Sequence, residues 1–149
     1  MKPQPNWQSP QPFIHPHTVQ VDELDFLKHV NNKTYLTWME QVAWLHSKSV
    51  GINHETQKEL NRIMVIKEHR MSYHAGGYLG DELLIGTWLG EQKGCCLRER
   101  HYQIIRVGDG RTLFTATTEF VCVDLKSLRP KPIPTEFIEA YLIKDKPSK

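Results

Sequence analysis

The sequence predicts an α+β fold in which one long helix is followed by a set of antiparallel strands. Three observations carry the prediction. Apolar residues recur at helical spacing in only one long stretch, near residues 33–50. Strand-like runs follow it, separated by short glycine-containing turns. No helical stretch alternates with those runs, as a parallel sheet would require.

Taken in order, residues 1–12 carry Pro3, Pro5, Pro10 and Pro12 among Gln, Asn and Ser. So little apolar surface cannot offset ordering, and a mobile N-terminal arm is expected. Phe13 to Val21 reads as extended, with Thr18, Val19 and Val21 favouring a strand and Pro16 placing it at an edge or a strand start. Asp22 to Asn31 is polar and irregular. From Lys33 to Val50, Tyr35, Met39, Val42 and His46 form one stripe, flanked by Leu36, Ala43 and Val50. Asn31 or Asn32 can cap its start and Gly51 suits the position beyond its end, which gives a helix roughly 27 Å long. His54 to Asn61 can add a short helix. Strands are then expected at Arg62–Tyr73, Glu82–Gln92, Cys95–Val107 and Arg111–Asp124, with Lys93-Gly94 and Gly108-Asp109-Gly110 as turns. The domain is expected to run over residues 13–143, followed by a polar tail at 144–149.

In the last strand Phe114, Ala116, Phe120 and Cys122 form a core face. The opposite set, Leu113, Thr115, Thr117, Glu119, Val121 and Val123, is half apolar. Together with Trp88 it predicts that another subunit covers part of the second sheet face.

Composition excludes several classes of function. The 149 residues hold 19 Lys+Arg against 17 Asp+Glu, a net charge of +2, which is no electrostatic footprint for nucleic acid or an anionic membrane. No apolar run approaches the roughly 20 residues that span a bilayer, and the N-terminus lacks the apolar segment of a secretory signal. The 3 cysteines, Cys95 beside Cys96 and Cys122 alone, form neither a disulfide framework nor a C-x-x-C pair. A reducing cytoplasm is the simplest setting, with buried and inert thiols. His15-x-His17 has no third ligand nearby, so neither a metal nor a cofactor is expected.

One segment carries chemistry. Glu23-Leu24-Asp25-Phe26-Leu27-Lys28-His29-Val30-Asn31-Asn32 places a carboxylate, an imidazole and two carboxamides just before a helix start. The first N–H groups of a helix lack intrahelical partners and its dipole is positive there, which suits a developing oxyanion. A nearby carboxylate can activate water as a general base or attack a carbonyl itself. Those are the parts acyl transfer needs.

The run Asp25-x-x-x-His29-Val30-Asn31-Asn32-x-x-Tyr35-Leu36-x-Trp38-x-Glu40 resembles the signature of hotdog-fold acyl-CoA thioesterases of the 4-hydroxybenzoyl-CoA thioesterase-like family. Gly80-Asp81-Glu82-Leu83 with Thr87-Trp88, and Phe120 to Leu125 followed by Arg129-Pro130 and Ile133-Pro134, are similar to later parts of it in the right order. Lys28 stands where many relatives have Gly, and Gly76 where they have Pro. The resemblance implies a long central helix wrapped by an antiparallel sheet of five or six strands. It also implies a homodimer, or a dimer of dimers, with active sites at the subunit interface. Residue by residue, it makes Asp25 the catalytic carboxylate and Asn32 the helix-start position whose N–H polarises the thioester carbonyl. It gives His29 and Asn31 the task of orienting substrate and bracing the loop, and makes Glu40 an acidic position on the helix.

The activity so implied is hydrolysis of an acyl-CoA, or of an acyl group on a carrier protein, to free acid and thiol. Tyr35 is a candidate for the acyl pocket. Arg98 and Arg100, on one strand face, are candidates for the CoA diphosphate at the mouth of the site. Two other activities fit the fold: an acyl-thioester dehydratase or hydratase, and a non-catalytic acyl-CoA binding protein.

Overall fold

The computed structural model describes residues 2–144, with side chains to residue 142. The tail expected at 144–149 lies, from Asp145 onward, outside the described residues. In chain order the elements are β1 (Phe13–Thr18), a turn of 3₁₀ helix at Val21–Glu23, α1 (Asn32–Ser49), α2 (His54–Leu60), β2 (Arg62–Tyr73), β3 (Glu82–Lys93), β4 (Leu97–Arg106), β5 (Thr112–Asp124) and α3 (Thr135–Lys144). The strands form one five-stranded sheet in the order β1-β3-β4-β5-β2, every neighbouring pair antiparallel. This is the hotdog arrangement, with the lower of the two expected strand counts.

Local chemistry explains why α1 falls where the pattern put it. Asn31 is its N-cap, and Gly51 follows its end at φ 85°, a conformation that costs a residue with a side chain. Tyr35, Trp38, Met39, Val42 and His46 are its buried face. The first four pack against Leu83, Ile85, Tyr102, Ile104, Phe114 and Ala116 from the inner face of the sheet. Gly94 and Gly110 hold the two hairpin turns at φ 62° and 69°.

Two features go beyond the sequence reading. α3 is an additional helix: the Pro134 carbonyl accepts from the N–H groups of Phe137 and Ile138. Phe137 then packs with Val50 and Ile52 into a second core beside α1. Among the described residues, no helix is long and apolar enough to cross a membrane.

The second feature is the N-terminal arm, which lies on the outer face of the sheet. The buried Gln103 side chain accepts from the Gln8 N–H at 2.9 Å and donates to the Asn6 carbonyl at 3.1 Å. Trp7 rests on Gly86, where any Cβ would run into the indole ring. The chain therefore supplies part of the cover that its half-apolar outer face calls for. The thiols are also more varied than expected. Cys95 is exposed, whereas Cys122 is buried and its thiol is pushed up to about 11, first by that burial.

The Trp7–Gly86 contact makes a prediction. Gly86→Val should lift the arm and speed proteolytic cleavage within residues 2–12, and Trp7→Ala should do the same. Because one contact underlies both effects, the double variant should be no worse than either single one. Thermal melts should show the singles coupled, by about 0.5–3 kcal/mol.

Candidate functional site

The loop before α1 is a short hairpin. Leu24 and Val30 form an antiparallel bridge, and between them the Asp25 N–H donates to the His29 carbonyl at 2.8 Å. The Lys28 N–H closes the turn on the Asp25 carbonyl at 2.9 Å. Lys28 takes φ 65°, the left-handed conformation that explains why glycine suits this position. The Asp25 carboxylate caps the turn from within, Oδ1 accepting from the N–H groups of Leu27 at 2.9 Å and His29 at 3.2 Å. Phe26 and Leu27 form an exposed apolar tip.

The hairpin feeds straight into the helix start. Asn31 uses its carboxamide oxygen to accept from the Lys33 N–H at 3.0 Å, and its carbonyl accepts from the Thr34 N–H. The Asn32 N–H has no acceptor among the described residues. It is the orphan donor of the first turn, at the positive end of the helix dipole. The Tyr73 hydroxyl donates to the Asn32 carbonyl at 3.2 Å and ties β2 to this end of α1. His29 packs edge-on against Tyr78, ring centroids 5.1 Å apart, while the Val30 N–H donates to the Gly77 carbonyl. Asp25, His29, Asn31 and Asn32 are thus brought together, as the motif implies.

The carboxylate of Glu23 pins the loop to the rest of the molecule. It bonds His17 Nε2 at 2.8 Å and accepts from the Trp38 indole N–H at 3.0 Å and the Gln20 N–H at 2.8 Å. Its own carbonyl accepts from the Asn31 N–H. Burial pulls the Glu23 pKa up, but the hydrogen bonds from His17, Gln20 and Trp38 outweigh it and hold the carboxyl below its ordinary range. The sequence reading gave Glu23 no role; its one local signal is the three-residue spacing from Gln20, that of a capping box.

The remaining candidates lie on α1, Tyr35 and Glu40, and on β4, Arg98 and Arg100. Tyr35 is buried, stacked on Phe114 and edge-on to Trp38 and Tyr73, and so forms the floor under the helix start. Glu40, Arg98 and Arg100 each line a cavity of about 400 Å³ between α1, α3 and the inner sheet face, and no ion pair joins Glu40 to either arginine among the described residues. The expected mouth position of the two arginines is corrected here. Arg98 is half-buried and donates to the Gly90 carbonyl, and Arg100 is 4% exposed. The signal lay in strand parity, because residues 98 and 100 share a face with the core residues Tyr102 and Ile104.

Arg100 donates from Nη1 to His46 Nδ1 at 2.9 Å and to Thr87 Oγ1 at 3.1 Å, and from Nη2 to the Tyr141 hydroxyl at 3.2 Å. Burial, and then the Arg100 charge, push His46 down to about 3, so the ring is neutral at pH 7.

A family model described as the thioesterase-like superfamily matches residues 19–141. Among solved structures, the chain is similar to a 1,4-dihydroxy-2-naphthoyl-CoA thioesterase from Synechocystis, with TM-score 0.81 and 18% identity over 91% of this chain and 99% of that one. It is similar to a Staphylococcus aureus protein in complex with CoA, with TM-score 0.82 and 18% identity over 97% and 91%. A third similar structure is YbaW, a probable thioesterase from Escherichia coli, with TM-score 0.74 and 24% identity over 89% and 98%. No curated protein matches the sequence.

Two predictions follow from the loop geometry. Lys28→Gly removes the cost of a left-handed side-chain-bearing residue and should raise unfolding free energy by up to ~1 kcal/mol, read by denaturant titration. Glu23→Gln should cost about 1–3 kcal/mol at neutral pH. Because the folded carboxyl is held below its ordinary range, its contribution is complete above that range and is lost as pH falls through the folded value. The melting-temperature gap between wild type and Glu23→Gln should therefore close on acidification.

Proposed function

The chain belongs to the thioesterase-like superfamily, and on that footing we propose that it hydrolyses acyl thioesters at the start of α1. The observation that carries the reading is the pairing of an orphan N–H at Asn32 with the Asp25 carboxylate held in the adjoining hairpin. The carbonyl oxygen of the thioester accepts from the Asn32 N–H, and the helix dipole favours the negative charge that grows on it. Asp25 takes a proton from the attacking water, or attacks the carbonyl itself and is then released by water. Either way the C–S bond breaks, the sulfur leaves as a thiol after protonation, and the acyl group leaves as a free acid.

His29 and Asn31 brace this geometry, His29 through its ring contact with Tyr78 and Asn31 as the helix cap. CoA is the thiol we assign, supported by the CoA complex of the Staphylococcus aureus neighbour. The resemblance to hotdog-fold thioesterases implies paired subunits, and a homodimer with sites at its interface is the assembly we infer.

Asp25→Asn is the cleanest test, because an asparagine keeps Oδ1 as the acceptor for Leu27 and His29 while losing the basic carboxylate. Thiol release from acyl-CoA should fall by ~10²–10⁴ in kcat, with the melting temperature nearly unchanged. Wild-type turnover in this variant would remove Asp25 from the mechanism.

A further inference from the structure

The cavity along α1 holds a cation that the proposed hydrolysis does not use. Arg100 is buried, yet no carboxylate lies within ion-pair distance of it among the described residues. None of the groups it bonds, His46, Thr87 and Tyr141, is a carboxylate. Those bonds occupy both Nη1 hydrogens and one on Nη2, leaving Nε–H and the second Nη2–H without acceptors among the described residues. A guanidinium with two such donors open takes a carboxylate in two-pronged fashion. A charge buried without a counter-ion is costly, so its persistence points to an anion that arrives from outside.

A second polar group in the same wall points the same way. Gln57 is 7% exposed and its side-chain oxygen Oε1 has no partner. Turned about its last torsion, the amide offers N–H donors to a polar group within the cavity. The rest of the wall is largely apolar, with Ile52, Met64, Phe120 and Phe137 among its residues. A volume of about 400 Å³ is in the range of small-molecule pockets.

The cavity also stands in line with the thioester site. Tyr73 meets Asn32 at one end of the α1–β2 pair, and His69 and Glu40 line the cavity further along the same two elements. From Asn32 to Glu40 the helix rises about 12 Å, and from Tyr73 to His69 the strand covers about 13 Å. The two lengths agree, and Arg100 stands at the His69 level of the sheet, since both pair with Thr118, so that level is within the reach of an extended acyl chain.

We propose that the cavity receives the far end of an acyl group that carries a distal carboxylate, with Arg100 as its partner, so that the preferred substrates are thioesters of dicarboxylic acids. The proposal rests on the thioesterase reading for the head of the substrate and on Arg100 and Gln57 for its tail.

The test compares the mono-CoA thioester of dodecanedioic acid with the same compound methylated at the distal carboxylate. Wild-type KM should be at least tenfold lower for the free acid, and in Arg100→Met the ratio should fall to near one. In parallel, calorimetry measures binding of monomethyl and dimethyl dodecanedioate, which need no hydrolysis. The monoester, with its one carboxylate, should bind at least tenfold tighter to wild type. Equal binding of the two esters to wild type overturns the proposal, whatever Arg100→Met does to folding. A binding preference without release of thiol from any acyl-CoA overturns the hydrolysis reading and leaves the cavity assignment standing.

Discussion

One helix has to cover the inner face of a five-stranded sheet, and it covers only part of it. The first half of α1 does so with Tyr35, Trp38, Met39 and Val42, which meet β3, β4 and β5 in the main core. Past Val42 the helix meets the sheet through Ala43 and through His46, which stacks on Phe13 and bonds Arg100. A second apolar cluster, built on Val50, Ile52 and Phe137, closes the far end with help from α3. The cavity is the space between these two cores. The additional C-terminal helix is therefore part of what makes a pocket there, since Tyr141 bonds both Ser47 and Arg100 across it.

The same helix needs its start held still, and that is the work of buried polar contacts. Glu23 gathers β1, through His17, and α1, through Trp38, onto one carboxylate. The hairpin carrying Asp25 and His29 is then fixed between that anchor and the Asn31 cap. Division of labour follows from burial. The Asp25 loop is partly open and carries the carboxylate to which we assign the reaction, while the residues beneath it, Tyr35 and Trp38, are closed off and supply rigidity.

Much of this was legible because local and long-range signals agreed. The ends of α1 carry caps, Asn31 and Gly51, and its buried face repeats at helical spacing, so its extent could be read to within a residue. The later strands were marked by Gly94 and Gly110. Of the candidate site, the loop cluster of Asp25, His29, Asn31 and Asn32 was legible because its members are near neighbours in sequence. α3 was not, because Pro130, Pro132 and Pro134 precede it and its deeply packed residues are few. The docking of the arm depends on one indole meeting a glycine 79 positions away, which no local pattern encodes. Arg100 misled for a different reason. Charge on a strand reads as outward-facing, and only its parity with Tyr102 and Ile104 reveals that it points in.

The neutrality of His46 has a consequence for where the protein can work. An imidazole beside a buried guanidinium would ordinarily make a pocket respond to acidity, its charge doubling as protons are added. Here burial and Arg100 hold that ring unprotonated down to about pH 3. The Arg100 end of the pocket thus keeps one fixed charge, that of the guanidinium alone, as acid is added. Around Arg100, selection among ligands is left to their shape and fixed charge.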